Sequence, residues 1–282
     1  MSLLDWTKDY FVRRQVDSPR LAAEMLLAHV LGCERIDLYA RFDHAPTDAQ
    51  RDAYRALVRR AADHEPLAYL VGCKEFYSLR FTVTPAVLIP RPETELLVSR
   101  ATDRLKALGR PGFMWDVCTG SGCVAVAAAR QIDDLTVLAT DASADAVAVA
   151  AGNAAHHGVD GRVLSRQANL LTRPADCGQM PAFDVITANP PYVATGDDLP
   201  PSVRREPPAA LLAGPDGLDV IRPLVAAAPD QLSDGGALIL EFGRGQADAV
   251  RDLIVATGRF AEPAIIRDQQ GIERVAVAAR SR

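Results

Sequence analysis

From residue 113 onward, short β-prone runs alternate with longer segments rich in Ala and Val. The β-prone runs are Phe113–Cys118, Thr136–Thr140, Val163–Ala168, Phe183–Ala188 and Ala237–Phe242. The intervening segments lie near 122–131, 143–157, 217–232 and 245–257 and are long enough for helices. Because parallel strands need long crossover connections, this alternation predicts an α/β fold, a mostly parallel sheet with helices on both faces. Two final runs, Pro263–Arg267 and Glu273–Ala279, flank a turn and predict an antiparallel last strand.

The first 65 residues lack this alternation and predict a small all-α unit. Ser18 before Pro19, with Gly32 after an apolar run, is typical of a helix with an N-cap, a proline in its first turn and a C-terminal glycine. Thr47 and Gln50 have the spacing of a capping box. β-prone residues between 72 and 90 then predict a short hairpin. We therefore expect a helical domain over 1–71, a β-hairpin linker over 72–90 and an α/β domain over 91–282.

The composition is that of an ordinary globular protein, with 49% apolar and 24% charged residues. It contains no apolar stretch of roughly 18 residues, so no membrane span is expected. The first six residues lack the pattern of a signal peptide, which predicts a cytoplasmic protein. The 31 basic and 36 acidic residues give a net charge of -5, so no stable nucleic-acid partner is expected. The five cysteines form no C-x-x-C pair, and neither a disulfide nor a metal is expected.

A glycine-containing loop follows the first strand of the alternating region, with the sequence Asp116-Val117-Cys118-Thr119-Gly120-Ser121-Gly122-Cys123. Small residues at the carboxyl end of a parallel sheet let the backbone approach a ligand closely. Ala125 stands where the dinucleotide-binding fingerprint has a third glycine, so the match is partial. We interpret the segment as a ligand-binding loop, and the alternative is a tight turn that serves packing.

Asp141 ends the second strand of this region, about 20 residues after the glycines. A carboxylate at this position can accept hydrogen bonds from both ribose hydroxyls of a nucleoside. The alternative is an N-cap for the helix that begins near Ala144, although Ser143 can cap that helix equally well. The strand-end position favours ribose binding.

The tetrapeptide Asn189-Pro190-Pro191-Tyr192 follows the fourth strand. It suits the methylation of a planar amide or amino nitrogen, whose delocalised lone pair is a poor nucleophile. The Asn189 side-chain carbonyl and the Pro190 backbone carbonyl can accept from the two N–H groups of such a substrate. The prolines keep this backbone out of the strand ladder, and Tyr192 can stack on the flat group. The alternative is a rigid turn after a strand.

Together with other motifs, these residues resemble the peptide chain release factor glutamine methyltransferase family (HemK/PrmC) over nearly the whole chain. The markers are Glu65-Pro66, Tyr69, Gly72, Val87 to Glu95, Asp116 to Cys123, Asn189 to Tyr192, Glu206-Pro207, Gly214 and Asp216-Gly217-Leu218. The tetrapeptide alone is shared with adenine-N6 and guanine-N2 methyltransferases. Its combination with Ile89–Glu95 is specific to the glutamine methyltransferases.

The resemblance implies a seven-stranded, Rossmann-like class I fold that uses S-adenosylmethionine and leaves S-adenosylhomocysteine. It implies that domain 1–71 helps to grip the protein substrate and that domain 91–282 is catalytic. The implied reaction, part of translation termination, is methylation of the side-chain amide of the glutamine in the Gly-Gly-Gln motif of bacterial class 1 peptide chain release factors.

The resemblance also implies roles for individual residues. By motif match, the donor-binding residues would be Cys118, Thr119, Gly120, Ser121, Gly122, Asp141, Asn169, Leu170 and Asn189. The glutamine would be held by Asn189, Pro190, Pro191 and Tyr192, and the catalytic residues among them would be Asn189, Pro190 and Tyr192. Asn169 stands where the family commonly has Asp, so it would accept from adenine through a neutral amide.

Three other interpretations stay open. Residues 199–218 resemble sister enzymes that methylate a glutamine of a large-subunit ribosomal protein, whereas the intact Ile89–Glu93 favours the release-factor branch. The shared tetrapeptide leaves a nucleic-acid amino methyltransferase, which predicts a basic face beside Tyr192. A nucleoside-binding or scaffold protein without turnover is the third, and the intact Asn189 counts against it.

Overall fold

The computed structural model of the chain describes residues 3–40, 46–177 and 180–281. These residues form two compact units. The first reaches to Cys73 and also contains Leu199–Glu206, and the second contains Lys74–Asp198 and the chain from Pro207 onward. Leu199–Glu206 therefore lies outside the unit in which the predicted boundaries place it. Local contact accounts for this, because Arg205 Nη2 donates to the Asp63 carbonyl at 3.1 Å.

The first unit has five α-helices within its described residues. They are α1 (Leu3–Arg13), α2 (Pro19–Leu31), α3 (Asp37–Ala40), α4 (Asp48–Ala62) and α5 (Leu67–Val71). Their apolar faces meet in a core that includes Phe11, Leu26 and Tyr54. The expected helical N-terminal region is confirmed.

Two helices of this unit differ in how their first turns are capped. Before α4, Thr47 and Gln50 form the predicted capping box, with the Gln50 backbone N–H donating to the Thr47 hydroxyl at 3.2 Å. Before α2, Ser18 does not cap as predicted: its φ is 47° and its side chain makes no cap hydrogen bond. Pro19 lies in the first turn and has no backbone N–H, so one fewer donor there needs a partner. The helix can therefore begin without a side-chain cap.

A hairpin precedes the large sheet along the chain. Its strands are β1 (Cys73–Phe76) and β2 (Leu79–Thr82), which lie within residues 72–90. The chain then reaches a 3-10 turn, Pro92–Thr94, and continues into α6 (Glu95–Lys106). Proline and acidic residues favour such a helix start, because the first turn has free N–H groups and a positive dipole end.

The second unit contains a seven-stranded sheet. Its strands are β3 (Gly112–Val117), β4 (Leu135–Asp141), β5 (Val163–Gln167), β6 (Phe183–Ala188), β7 (Leu232–Glu241), β8 (Ala264–Arg267) and β9 (Glu273–Ala279). The strand order is β5-β4-β3-β6-β7-β9-β8, in which β9 is antiparallel to both of its neighbours and the other described pairs are parallel. The predicted seven-stranded α/β fold is confirmed. β7 begins five residues earlier than the predicted Ala237, across an irregular pairing with β6.

Helices cover both faces of this sheet. The remaining ones are α7 (Cys123–Gln131), α8 (Ala144–His156), α9 (Ile221–Gln231) and α10 (Ala247–Ala256). Alternate strand residues serve the two cores: Met114 and Val185 pack with residues of α6 and α7, whereas Trp115 and Ile186 pack with residues of α9 and α10. Every residue of β6 is buried, as expected for a central strand with both faces covered. None of the helices in the described ranges is long and apolar enough to span a bilayer.

Candidate active site

The carboxyl ends of β3, β4 and β6 meet at a cavity of about 270 Å³. Nine of the predicted site residues line it, namely Cys118, Thr119, Gly120, Ser121, Asp141, Asn169, Leu170, Asn189 and Pro191. Gly122, Pro190 and Tyr192 are not among the lining residues. The three strand ends are brought together because parallel neighbours end at the same edge of the sheet.

The glycine loop runs beneath this cavity in an unusual backbone conformation. Cys118, Gly120 and Gly122 have φ values of 57°, 54° and 78°, in the left-handed region. Gly122 is the N-cap of α7, and a Cβ built there would lie 3.0 Å from the Ala150 Cβ and 3.1 Å from its Cα. Gly122 therefore allows α8 to pack closely against the loop, which leaves the residues before it to face the cavity.

Asp141 fastens the loop to the end of β4. Its Oδ2 accepts from the Gly120 backbone N–H and its Oδ1 from that of Ser143, both at 3.0 Å. Ser143 is the N-cap of α8, since its hydroxyl accepts from the Ala146 N–H at 3.2 Å. Ser143, and not Asp141, is therefore the residue that caps α8. The Asp141 carboxylate lies at the cavity wall.

Asp116 also lines the cavity, although sequence reasoning assigned it no separate role. Its carboxylate accepts from the Thr119 hydroxyl at 2.5 Å and from the Thr187 hydroxyl at 2.7 Å. Burial raises the pKa of Asp116 to about 6, and hydrogen bonds from the two threonines oppose that rise. Asp116 is therefore a desolvated carboxyl group at the cavity. Its position at the start of the glycine motif could have indicated this role in the sequence.

Asn153 supports the loop from behind and was missed in the sequence. It is fully buried on α8, and its Nδ2 donates to the carbonyls of Ser121 at 2.8 Å and Thr82 at 3.0 Å. Its Oδ1 accepts from the Thr82 N–H at 2.8 Å. One side chain thereby joins the hairpin strand β2 to the cavity loop.

Asn189 follows β6 directly and lines the cavity with one end of its amide engaged. Its Nδ2 donates to the Thr94 hydroxyl at 3.1 Å. Its Oδ1 is buried and has no hydrogen-bond partner among the described residues. Since a buried carbonyl oxygen without a partner is costly, this atom is a ready acceptor for a ligand N–H.

Tyr192 lies behind the cavity wall and contacts Glu241, the last residue of β7. Its hydroxyl donates to Glu241 Oε1 at 3.2 Å, and Glu241 is fully buried. Burial raises the pKa of Glu241 to about 7, while its hydrogen bond with Thr94 opposes the rise and the charge of Glu93 adds to it. Burial likewise raises the pKa of Tyr192, so its hydroxyl keeps its proton. The predicted stacking of Tyr192 on a substrate stays a prediction.

Gln246 holds the backbone that follows the prolines. Its Nε2 donates to the Tyr192 carbonyl at 3.0 Å and to the Asp216 carbonyl at 3.2 Å, and its Oε1 accepts from the Gly243 N–H at 2.8 Å. A Cβ at Gly217 would meet the Tyr192 carbonyl at 2.2 Å, so this close approach requires glycine. These contacts fix the tetrapeptide on its carboxyl side.

Two further parts of the cavity wall come from the segment that precedes α6 and from residues 207–210. Arg91 and Thr94 lie on the first, and Pro207 and Ala210 on the second. Both segments carry markers by which the sequence resembles its expected family. Within the described residues no group of three or more His, Cys, Asp or Glu is arranged to hold a metal ion.

A seven-stranded sheet of this order, with one antiparallel strand and a cavity at its carboxyl edge, defines a class I methyltransferase. Two family models match the chain, the PrmC N-terminal domain over residues 2–72 and the methyltransferase small domain over residues 92–205. The chain belongs to the release factor glutamine methyltransferase family.

Its relatives resemble it over nearly their whole length. The release factor glutamine methyltransferase of Rhodopirellula baltica is 43% identical, with 98% of this chain and 94% of that protein covered. The protein of the same name from Geobacter sulfurreducens is 42% identical, with 97% and 94% covered. Among solved structures, a T. thermophilus 16S rRNA methyltransferase in complex with AdoMet and guanosine has a TM-score of 0.53 at 19% identity, with 74% of this chain and 50% of that chain covered, a likeness of fold.

Proposed function

We propose that this protein transfers a methyl group from S-adenosylmethionine to the side-chain amide nitrogen of the glutamine in the Gly-Gly-Gln motif of bacterial class 1 release factors. Relatives that are 42% and 43% identical over nearly the full length are named release factor glutamine methyltransferases. The observation that carries the proposal in this chain is the Asn189 amide, whose nitrogen is bound to Thr94 while its buried oxygen has no partner in the described part of the chain. An enzyme that methylates release factors would act in the cytoplasm, where translation takes place.

The cavity residues fit the proposed methyl donor. Asp141 stands at the end of β4 with its carboxylate at the wall, where it would accept the ribose hydroxyls. Asn169 and Leu170 would flank the adenine, and the loop from Cys118 to Gly122 would lie along the rest of the donor. Asp116 and Arg91 provide one negative and one positive group for the ammonium and carboxylate of the methionine part. When bound, the donor supplies an electrophilic methyl group on a sulfonium.

The protein's own contribution is to present the amide nitrogen. Asn189 Oδ1 would accept one N–H of the glutamine amide and the Pro190 carbonyl the other, which turns the nitrogen lone pair away from both acceptors and towards the methyl. Such orientation can supply roughly 7–11 kcal/mol of the barrier. The nitrogen gains the carbon as the sulfur–carbon bond breaks, and it then loses a proton to water, because an alkylated amide nitrogen is strongly acidic. No residue has to act as a strong base.

The described lining residues of the cavity form no cluster of basic groups. The lining residues include two carboxylates, Asp116 and Asp141, and one guanidinium, Arg91. A surface that tracks a phosphate backbone needs clustered cations. The cavity wall next to Asn189 therefore gives no support to methylation of a nucleic-acid amino group.

The direct test is methyl transfer to purified candidates. The enzyme and a labelled methyl donor are incubated separately with a class 1 release factor, with large ribosomal subunits and with ribosomal RNA. We expect label on the release factor, and mass spectrometry should find one added methyl on the peptide that contains Gly-Gly-Gln.

Two controls make the result specific. A release factor whose motif glutamine is replaced by glutamate offers no amide and should take up no label. The enzyme variant Asn189→Ala should lose at least about 100-fold in rate, because one amide acceptor is gone and orientation suffers. Label on the ribosomal subunits or the RNA, with none on the release factor, would refute the proposal.

A further inference from the structure

Thr94 lies on the cavity wall next to two polar residues, Asn189 and Glu241. It ends the 3-10 turn Pro92–Thr94 and is 2% exposed. Its hydroxyl oxygen accepts from Asn189 Nδ2 at 3.1 Å, and the carboxyl group of Glu241 lies close enough for the hydroxyl to lower its pKa. Thr94 is therefore a neighbour of both the proposed amide-binding residue and a buried carboxyl group.

The hydroxyl of Thr94 serves no local purpose in its own helix. Thr94 stands at the N-cap position of α6, where a threonine side chain commonly accepts from the first turn. Here its backbone is helical, with φ -64° and ψ -19°, and the side chain makes no cap hydrogen bond. A role in helix capping thus does not explain the hydroxyl.

The sheet holds the two partners of Thr94 side by side. Ala188 of β6 pairs with Leu240 of β7. The next residues along the two strands, Asn189 and Glu241, are therefore neighbours. Glu241 also accepts from the Tyr192 hydroxyl at 3.2 Å. Glu241 is thus bound directly to the tetrapeptide segment through Tyr192.

The direction of the hydrogen bond between Asn189 and Thr94 follows from its atoms. The Thr94 oxygen accepts from the Asn189 N–H with a lone pair, and an amide oxygen could take the place of that N–H only if the hydroxyl proton turned towards it. The two ends of an asparagine amide are nearly equal in size, so hydrogen bonds decide which end points where. The Thr94 lone pair selects Nδ2, which leaves Oδ1 as the end that can accept a substrate N–H.

We propose that Thr94 is a positioning residue which, by accepting from Asn189 Nδ2, orients the Asn189 amide so that Oδ1 is presented to the substrate nitrogen. This inference rests on the proposed function for its consequence in catalysis. Its structural content, the orientation of one amide, can be measured without any turnover.

The experiment compares Thr94→Val with Thr94→Ser. Valine keeps the shape of threonine and removes the hydroxyl, whereas serine keeps the hydroxyl and removes the methyl group. For each variant we would measure kcat on the release factor, the Kd of S-adenosylmethionine by calorimetry, and the NMR signals of the Asn189 side-chain NH2, assigned by their loss in Asn189→Ala.

We expect Thr94→Val to lower kcat by at least about 10-fold, because the amide loses its preferred orientation. Because Thr94 lines the donor cavity, the donor Kd is the comparison value, and the fold loss in kcat should exceed any fold change in Kd. The Asn189 NH2 signal should shift and exchange faster with solvent. Thr94→Ser should restore both the rate and the signal, which general damage to the core would not predict.

Two results would overturn the inference: a Thr94→Val enzyme with wild-type kcat, or an Asn189 NH2 signal that this substitution leaves unchanged. The proposed function fails separately. If the wild-type enzyme methylates no release factor, the NMR comparison of the two variants still decides whether Thr94 orients Asn189.

Discussion

Asp141 retains hydrogen-bonding capacity for a ligand. Its two oxygens accept one backbone N–H each, from Gly120 and Ser143. A carboxylate has about four lone-pair sites, so roughly two stay available for the ribose hydroxyls of a donor. The same residue can therefore hold the loop in place and bind the ligand that the loop faces.

Replacement of Asp141 should affect the donor more than the fold. We expect Asp141→Ala to raise the Kd of S-adenosylmethionine by about 10- to 100-fold, since a hydrogen bond to a charged group contributes about 1.5–3 kcal/mol. Isothermal titration calorimetry measures the Kd, and a thermal melt reports the fold. Asp145→Ala is the matched control, because Asp145 is an exposed carboxylate that does not line the cavity. Equal donor affinity in the two variants would rule out the proposed contact.

The sequence predicts some residues of the site and not others, for a physical reason. Asp141 and Asn189 each end a β-prone run, so their place at the sheet edge follows from local pattern. Thr94 and Asn153 act through partners that are 95 and 71 residues away in the chain. No local pattern encodes such a contact. Which end of an amide is engaged likewise depends on neighbours that the fold brings together.

At the scale of elements, Asn153 connects three parts of the second unit. It lies on α8 and reaches strand β2 through Thr82 and the cavity loop through Ser121. The hairpin strands are short, and a two-stranded hairpin has little stability of its own. This buried amide therefore helps to fix both the hairpin and the loop.

Removal of the Asn153 amide should be strongly destabilising. Asn153→Leu leaves the Thr82 N–H and two carbonyls without their partner, and each unsatisfied group costs about 1–3 kcal/mol. We expect the free energy of unfolding to fall by about 3 kcal/mol or more, measured by urea denaturation. Ala155→Leu on the exposed side of the same helix is the control and should change it by less than about 0.5 kcal/mol. A loss of similar size in both variants would contradict the account.

Strands and helices of the second unit could be predicted because their spacing is regular. Phe183–Ala188 and Glu273–Ala279 have the predicted bounds. The early start of β7 could not be predicted, since Gly235 and Gly236 weaken the strand pattern and pairing with β6 decides the conformation. Ser18 is a residue type that favours N-caps, but its side chain makes no cap hydrogen bond here.

At the scale of the whole molecule, alternation of strand and helix patterns was enough to predict the fold class. The grouping of Leu199–Glu206 with the helical unit was not predictable, because it depends on contacts such as that of Arg205 with Asp63. The burial of ionisable groups, which affects the stability of the whole protein, also could not be predicted from the sequence. Two carboxyl groups, Asp116 and Glu241, are buried with raised pKa values, and burial is visible in the fold alone.

The raised pKa of Glu241 sets the sign of a pH effect on stability. In the unfolded chain the carboxyl has its ordinary pKa of 4.5, and in the folded protein burial raises the pKa to about 7. Between these values the folded state binds more protons than the unfolded state. The stability that this group contributes is therefore fully present below 4.5 and falls as the pH rises towards 7.

The variant Glu241→Gln should isolate this effect, because glutamine does not titrate and the shift of Asp116 is common to both proteins. At 1.36 kcal/mol per pKa unit, the wild-type free energy of unfolding should fall by about 3 kcal/mol relative to the variant between pH 4.5 and 7, and run parallel to it above pH 7. Urea denaturation at a series of pH values measures both curves. Glu75→Gln, at an exposed strand position, is the matched control for the loss of a surface carboxylate. If the Glu241→Gln curve is also parallel to the wild type from pH 4.5 to 7, the carboxyl of Glu241 is not desolvated in the folded protein.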